Sequence, residues 1–322
     1  MRVLVTGASS MMGRGVVAKL VARDDAVVTL QRTAGTWPSA VEEYLGSVAQ
    51  LDLVRRAADR CDAVVHLAAK VGITGPVQEF IEVNVEGTRT VLAAAQAAGV
   101  RRFVHISSPS VAHAGQSLVG APAGRADPSA TRGHYSTTKA IAELDALAAN
   151  SSHFAVAVLR PHLVWGPGDT QLVGRIVERS RQGRLAYVGS GTALVDSTYI
   201  TNAVEAVVAA LDHTVEAAGE PLVVTNGEPR PIGELIDGIL AAHGLEPPSL
   251  RIPVWIAKGL GWGAERAWSR FDLGGEPPMT VFTAEQLGTA HWFDQRRTRQ
   301  VLRWQPRISI DEGLTALAVG SL

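Results

Sequence analysis

The sequence predicts an α/β protein built on a doubly wound parallel sheet, followed by a smaller C-terminal α/β domain. Three observations carry that reading. Short apolar strand patterns alternate with helical patterns of about 10–15 residues. The chain opens on a strand, a turn of small residues and a helix. A Tyr-x-x-x-Lys pair, Tyr135 and Lys139, heads a later helical pattern, behind a strand that ends in Ser107-Ser108. Strands joined through helices pair in parallel by right-handed crossovers. With 322 residues, 46% of them apolar, the chain suffices for one large or two ordinary domains.

Composition narrows the function classes. Lysine plus arginine (30) nearly balances aspartate plus glutamate (31), so no charged face argues for nucleic acid. Cys61 is the single cysteine, which excludes internal disulfides and cysteine-based zinc sites. Its place in Cys61-Asp62-Ala63-Val64-Val65 reads as a small buried hydrophobe. No His/Cys cluster or HExxH has metal spacing, and no G-x-S-x-G elbow surrounds Ser108. Met1 to Gly7 runs straight into a strand, and no run of about 18 apolar residues follows. A cytoplasmic protein without a spanning segment is expected.

Val3-Leu4-Val5 reads as a buried parallel strand. Gly7, Ala8, Ser9, Ser10, Met11, Met12 and Gly13 follow, then a helical pattern from Gly13 to Arg23. In a Rossmann-type βα turn, backbone N–H groups and the helix dipole hold a pyrophosphate, and small residues let it approach. Ala26 to Leu30 forms the second strand, followed by Gln31-Arg32. An acid here serves the ribose 2′-hydroxyl of NAD, whereas an arginine fork suits a 2′-phosphate. NADP(H) is therefore preferred, with NAD(H) as the second cofactor; the plain alternative makes Arg32 a solvated surface residue.

A strand around Tyr44 to Val48 precedes a helix from Leu51 to Ala58. Ala63 to Ala69 forms the next strand, Asn84 falls in a long helical segment ending at Gly99, and Arg102 to Ile106 is strand again. Ser107-Ser108 then lies at the carboxyl end of the sheet, where such folds bind ligands, with Ser110 close by. Residues 112–133 are rich in Gly, Ala, Pro and Ser and read as a mobile loop over the site. Tyr135 and Lys139 share one face of a helix running to about Asn150. A free tyrosine titrates near pH 10, and a neighbouring cation favours its phenolate, so the pair reads as an acid–base device.

Phe154 to Leu159 is the last strand before the chain break at Trp165-Gly166-Pro167-Gly168. The expected division is residues 1–165 and 166–322, with a return segment near 194–225. Tryptophans 255, 262 and 268 form a near-helical stripe interrupted by glycines. Three roles fit it: packing on the core, a lid over apolar substrate, or contact with a membrane interface. Met279 and Phe282 suit an apolar pocket.

With the turn from Gly7 to Gly13, Ser108, and Tyr135-x-x-x-Lys139 together, the chain resembles the extended short-chain dehydrogenase/reductases over almost its whole length. Ala69-Lys70-Val71-Gly72, Ser107-Ser108-Pro109-Ser110-Val111, the run from Leu159 to Asp169 and Glu276-Pro277-Pro278-Met279-Thr280 narrow the likeness. They resemble the 3β-hydroxysteroid dehydrogenase-like branch, which includes bacterial 2-alkyl-3-oxoalkanoate reductases.

The resemblance implies that Tyr135 is the general acid/base and that Ser108 hydrogen-bonds the substrate oxygen. Lys139 would hold the nicotinamide ribose and depress the Tyr135 pKa. It implies cofactor contacts along the Gly7–Gly13 turn, at Arg32, at Ser47 and Val48, and at Leu67, Ala68 and Ala69. Further contacts fall at Asn84, which reads equally as a helix brace, at Ser107, and at Pro161, His162 and Val164. Substrate contacts are expected at Lys70, Val71, Ser110, Trp165, Tyr199, Met279 and Phe282. Ser10 departs from the family's middle glycine, which would crowd the pyrophosphate or add a donor. Ser47 departs from an adenine-contacting aspartate, which loosens the adenine site. The implied activity interconverts a ketone and a secondary alcohol on a hydrophobic, β-keto acid or steroid-like substrate, in a homodimer. A nucleotide-sugar epimerase or dehydratase on the same scaffold, or a non-catalytic NADP(H)-binding redox sensor, are the competing readings.

Overall fold

The computed structural model describes residues 1–72, 75–112, 115–271 and 277–320. Seven strands form its main sheet in the order Pro221–Val224, Ala155–Pro161, Arg102–Ile106, Ala63–His66, Arg2–Thr6, Ala26–Gln31 and Glu42–Leu45. Every pairing in that sheet is parallel. From Arg2–Thr6 the chain winds first to one side and then to the other, so the strand order reverses between Arg2–Thr6 and Ala63–His66. The carboxyl ends of these two strands flank a switch point, the usual ligand crevice of such sheets.

These segments are strands because both their faces find cover. Val3 and Val5 point to one side, against Val16 and Leu20 of helix Met11–Val21 and Val204, Val207 and Leu211 of helix Ile200–Asp212. Leu4 points to the other, with Val28, Val54, Val91, Phe103 and Val156. This two-residue alternation, apolar on both sides, is what a doubly covered parallel sheet demands. Cys61 is buried in the second cluster, and burial pushes its thiol up to about 11, so it behaves as a hydrophobe.

A second, four-stranded sheet runs Arg230–Pro231, Leu194–Val195, His291–Phe293, Leu118–Ala121. It accompanies a separate apolar cluster of Trp165, Ile176, Tyr187, Tyr199, Ile232, Leu235 and Ile239. The region expected to be a mobile loop thus contains a strand. Leu118 donates to the Ala290 carbonyl at 2.7 Å and Asp294 donates to that of Ala121 at 3.0 Å. The partner lies some 170 residues away, so no local signal marks it. The third strand of the main sheet ends at Leu45, earlier than expected. Ser47 turns there, its hydroxyl accepting from Ala49 N at 3.2 Å, ahead of helix Leu51–Ala58.

The tryptophan stripe lies on one helix, Val254–Phe271, which its glycines do not break. Gly261 is instead a contact point: a β-carbon there would come within 2.5 Å of the Thr280 carbonyl carbon. Trp255 (75% exposed) and Trp262 (57%) face solvent, so core packing is excluded for both. Only Trp268 turns partly inward. No helix among the described residues is long and apolar enough to cross a membrane.

Candidate active site

The crevice begins at the first turn. Gly7 adopts φ +70°, and a β-carbon on it would lie 2.7 Å from Ala68 N; one on Gly13 would lie 2.5 Å from the Gly7 carbonyl oxygen. Neither position accepts a side chain. Ser10 caps helix Met11–Val21: its hydroxyl donates to the Gly7 carbonyl at 2.9 Å and accepts from Gly13 N at 3.0 Å. The hydroxyl in the middle position is therefore spent inside the turn. Ser9, Met11 and Met12 surround that helix start, half-buried. A backbone cradle with no room for side chains, at the head of a helix with no acid in its first turn, fits a pyrophosphate.

At the end of Ala26–Gln31, Gln31 is turned inward and donates to Glu43 at 2.5 Å. The same carboxylate accepts from Gly35 N at 2.8 Å and Trp37 Nε1 at 2.7 Å. Glu43 is thereby held by three donors, while Arg32 stands exposed. Val48 is buried in the sheet's apolar cluster, in a place that packing alone accounts for.

Leu67, Ala68 and Ala69 run off Ala63–His66, with Ala68 N donating to Thr6 Oγ1 at 3.3 Å. Asn84 lies in a wide π-helical turn, Ile81–Glu86, and is fully buried. Its carbonyl oxygen accepts from Lys70 N at 2.7 Å; its amide donates to the Lys70 carbonyl at 3.1 Å and Thr138 Oγ1 at 3.0 Å. Asn84 is thus a brace between the 69–70 loop and the helix that carries Tyr135. Lys70 pairs with Glu79 at 2.5 Å and sits over the Phe80 ring, while Val71 is exposed.

Ser108 follows the Arg102–Ile106 strand, and Tyr135 and Lys139 lie on helix His134–Ala148. Ser108 Oγ is 2.9 Å from Ser110 Oγ and is hydrogen-bonded to the Tyr135 hydroxyl. Ser107 is buried and its Oγ has no partner among the described residues. The Lys139 side chain is only 2% exposed and donates to the Ile106 carbonyl at 2.6 Å.

One electrostatic expectation is corrected here. Burial holds the Tyr135 phenol above its usual pKa, only partly offset by the Ser108 hydrogen bond. Burial brings Lys139 down to about 8, against the pull of Glu143. At neutral pH the phenol therefore keeps its proton, the form a general acid needs, and the lysine remains mostly charged.

A pH signature follows. If the ammonium holds the dinucleotide, cofactor affinity and turnover should fall with an apparent pKa near 8. Between about 8 and 10.5 an unfolded lysine keeps a proton that the folded one has lost, so stability rises over that window. Activity and thermal stability should thus diverge above pH 8. A pH–rate profile flat to pH 10 would contradict the arrangement.

Several polar side chains beneath the site were not read from the sequence. Thr6, His66 and His105 stand in register across three neighbouring strands. Their signal is a lone polar residue near the end of each apolar run: Val-Val-His66, Phe-Val-His105 and, one strand further, Val-Leu-Arg160. Arg160 and Glu143 form a fully buried pair.

Toward the second sheet, His162 follows Pro161, the last residue of its strand, and half-buried Val164 lies just beyond. His162 Nδ1 bonds the Asp196 carbonyl at 2.7 Å, and its ring meets Phe293 edge-on at 5.2 Å. Trp165 and Tyr199 do not face the crevice as expected. Trp165 is fully buried, its Nε1 donates to Ser197 Oγ at 2.9 Å, and its ring packs edge-on against Tyr199 at 5.4 Å. Both belong to the C-terminal core, whose apolar cover outweighs any exposure to ligand. Met279 packs half-buried on Val188, Ala257 and Ala284, and Phe282 is half-buried on helix Val281–Gly288. Glu276, which precedes them, lies outside the described residues.

The NAD dependent epimerase/dehydratase family profile matches residues 3–224. The chain belongs to that family. A 2-alkyl-3-oxoalkanoate reductase of Stenotrophomonas maltophilia is 39% identical over 330 residues, covering 100% of this chain and 99% of that protein. A 3 beta-hydroxysteroid dehydrogenase/Delta 5→4-isomerase of Mycobacterium tuberculosis is 29% identical over 328 residues, covering 98% and 88%. These two relatives agree with the branch that the motifs indicated. The solved UDP-glucuronic acid 4-epimerase of Bacillus cereus in complex with NAD superposes with a TM-score of 0.77 at 21% identity, covering 99% and 98%. It shares the fold of this epimerase/dehydratase family member.

Proposed function

We propose that the protein is an NADP(H)-dependent oxidoreductase that interconverts a ketone and a secondary alcohol on a hydrophobic substrate, with a 2-alkyl-3-oxo acid as the first candidate. The observation that carries this reading is the convergence of Ser108, Tyr135 and Lys139 at the carboxyl edge of the sheet, beside the side-chain-free Gly7–Gly13 turn. The full-length likeness to a 2-alkyl-3-oxoalkanoate reductase supports the substrate class.

The Gly7–Gly13 turn would hold the pyrophosphate and Lys139 the ribose; the bound dinucleotide supplies the hydride. Ser108 Oγ orients the substrate oxygen, using a hydroxyl already placed by Ser110. Tyr135 gives its proton to that oxygen in the reducing direction; in the oxidising direction the phenolate, formed by loss of that proton to solvent, takes one from the alcohol. Apolar Met279 and Phe282 suit the alkyl part of such a substrate better than a second diphosphate.

The test is NADPH consumption with medium- and long-chain 2-alkyl-3-oxo acids and with ketosteroids, alongside product analysis with nucleotide sugars, whose epimerisation or dehydration leaves no net change in the cofactor. Turnover confined to nucleotide sugars would reverse the assignment, and binding of NADPH without turnover of any member would leave a sensor. Cofactor choice has its own test. Arg32→Ala should raise the KM for NADPH about tenfold by removing one charge-assisted contact to the 2′-phosphate, and leave that for NADH unchanged. Equal changes for both cofactors would take Arg32 out of the specificity site.

A further inference from the structure

His66 and His105 are buried, titratable and unused by the chemistry above. Their rings lie 5.6 Å apart, in register on adjacent strands. His66 is fully engaged: Nδ1 meets Thr6 Oγ1 at 2.7 Å and Nε2 meets Thr88 Oγ1 at 3.0 Å. Because Thr88 donates its own proton to the Asn84 carbonyl at 2.6 Å, it accepts from Nε2–H, and burial, which brings the imidazole down to about 3, keeps His66 neutral.

His105 differs. Its Nε2 lies 3.4 Å from Lys139 Nζ, and its Nδ1 has no partner among the described residues, although the side chain is fully buried. An ammonium carries three protons. The Ile106 carbonyl takes one and His105 Nε2 a second. Both acceptors belong to the same strand end, so the sheet side of Lys139 is saturated and one proton is left for a ligand. For Nε2 to accept, the imidazole must be neutral and carry its proton on Nδ1, where no acceptor waits. Packing in a parallel strand would be served by valine or isoleucine. A histidine that leaves one nitrogen unbonded while presenting the other to a cation does more than fill space.

We propose that His105 is a positioning residue for the Lys139 ammonium, holding it in the orientation that binds the nicotinamide ribose; this rests on the role given to Lys139 above. The charged or titratable groups around Lys139 are Tyr135 and Glu143 on its own helix, His105 and His66 from the two neighbouring strands, and Arg160, paired with Glu143, from a third. Of these, only His105 is hydrogen-bonded to the ammonium among the described residues.

The test compares His105→Phe, which keeps a ring but offers no acceptor, with His105→Gln, which keeps an acceptor of similar reach. Fluorescence titration with NADPH as a function of pH is the readout, with thermal unfolding recorded alongside. His105→Phe should weaken NADPH binding about tenfold, the scale of one hydrogen bond to a charged group. It should also move the alkaline limb to lower pH, because the charged lysine loses an acceptor. His105→Gln should restore both. If His105→Phe does not fold, His105→Met replaces it. Unchanged affinity and limb in the acceptor-free variant overturn the proposal, as does a His105→Gln protein that fails equally. Lys139→Met separates the two levels: if it leaves NADPH binding intact, the reading of the site itself falls. If it abolishes the limb while His105→Phe behaves as the native protein, only the positioning role falls.

Discussion

Replacing Tyr135 with phenylalanine is expected to cut turnover by roughly 10²–10⁴-fold, the usual contribution of a positioned proton donor. That corresponds to about 3–5 kcal/mol of transition-state stabilisation. The substitution keeps the ring and its packing and removes one oxygen. Ser108 Oγ loses one hydrogen-bond partner but keeps Ser110 at 2.9 Å, so the substrate-orienting hydroxyl should stay in place. Among the described residues the Lys139 hydrogen bonds run to Ile106 and His105, not to the phenol. NADPH affinity should therefore stay near that of the native protein, and the loss should fall on kcat. Steady-state kinetics paired with an NADPH fluorescence titration separate the two quantities. Undiminished turnover would remove Tyr135 from the chemistry; a parallel collapse of affinity would make it a binding residue.

The sequence made the main sheet legible because its strands are covered on both faces and read as unbroken apolar runs. It made the first turn legible because glycine at positions 7 and 13 answers to a backbone constraint that the structure shows directly, a β-carbon collision in each case. The second sheet was not legible. Leu118–Ala121 pairs with His291–Phe293, and a four-residue strand with so distant a partner leaves no periodic trace. Trp165 and Tyr199 were misread for a related reason. Their position just after the cofactor sheet suggests the crevice, yet their cover comes from helices far along the chain, Ile232–Ala242 among them. The Tyr135–Lys139 spacing correctly places two side chains on one face, but spacing carries no information about burial. Burial is what raises the phenol and lowers the lysine.

The second large effect is expected at Arg160, where the question is stability. Arg160 and Glu143 are both fully buried, with Nε to Oε2 at 2.9 Å and Nη2 to Oε1 at 2.5 Å. Arg160 Nη1 also donates to the Ala123 carbonyl, so one guanidinium ties a sheet strand to the Tyr135–Lys139 helix and to the chain beside Leu118–Ala121. Taking two charges out of water costs several kcal/mol each, and the pair is tolerated because its geometry is bidentate and the third nitrogen, Nη1, also finds an acceptor. Arg160→Met would leave the Glu143 carboxylate buried alone and should destabilise the protein by about 3–5 kcal/mol. Replacing both residues with methionine should recover most of that loss, because no orphan charge remains. Denaturant midpoints of the two single variants and the double variant measure this directly. Losses under about 1 kcal/mol in the singles would mean that the pair behaves as a solvated one. Glu143 lies one turn beyond Lys139 and favours its charged form, so Glu143→Gln should also shift the alkaline limb of NADPH binding to lower pH. A stability loss with no such shift would confine the pair to holding the fold.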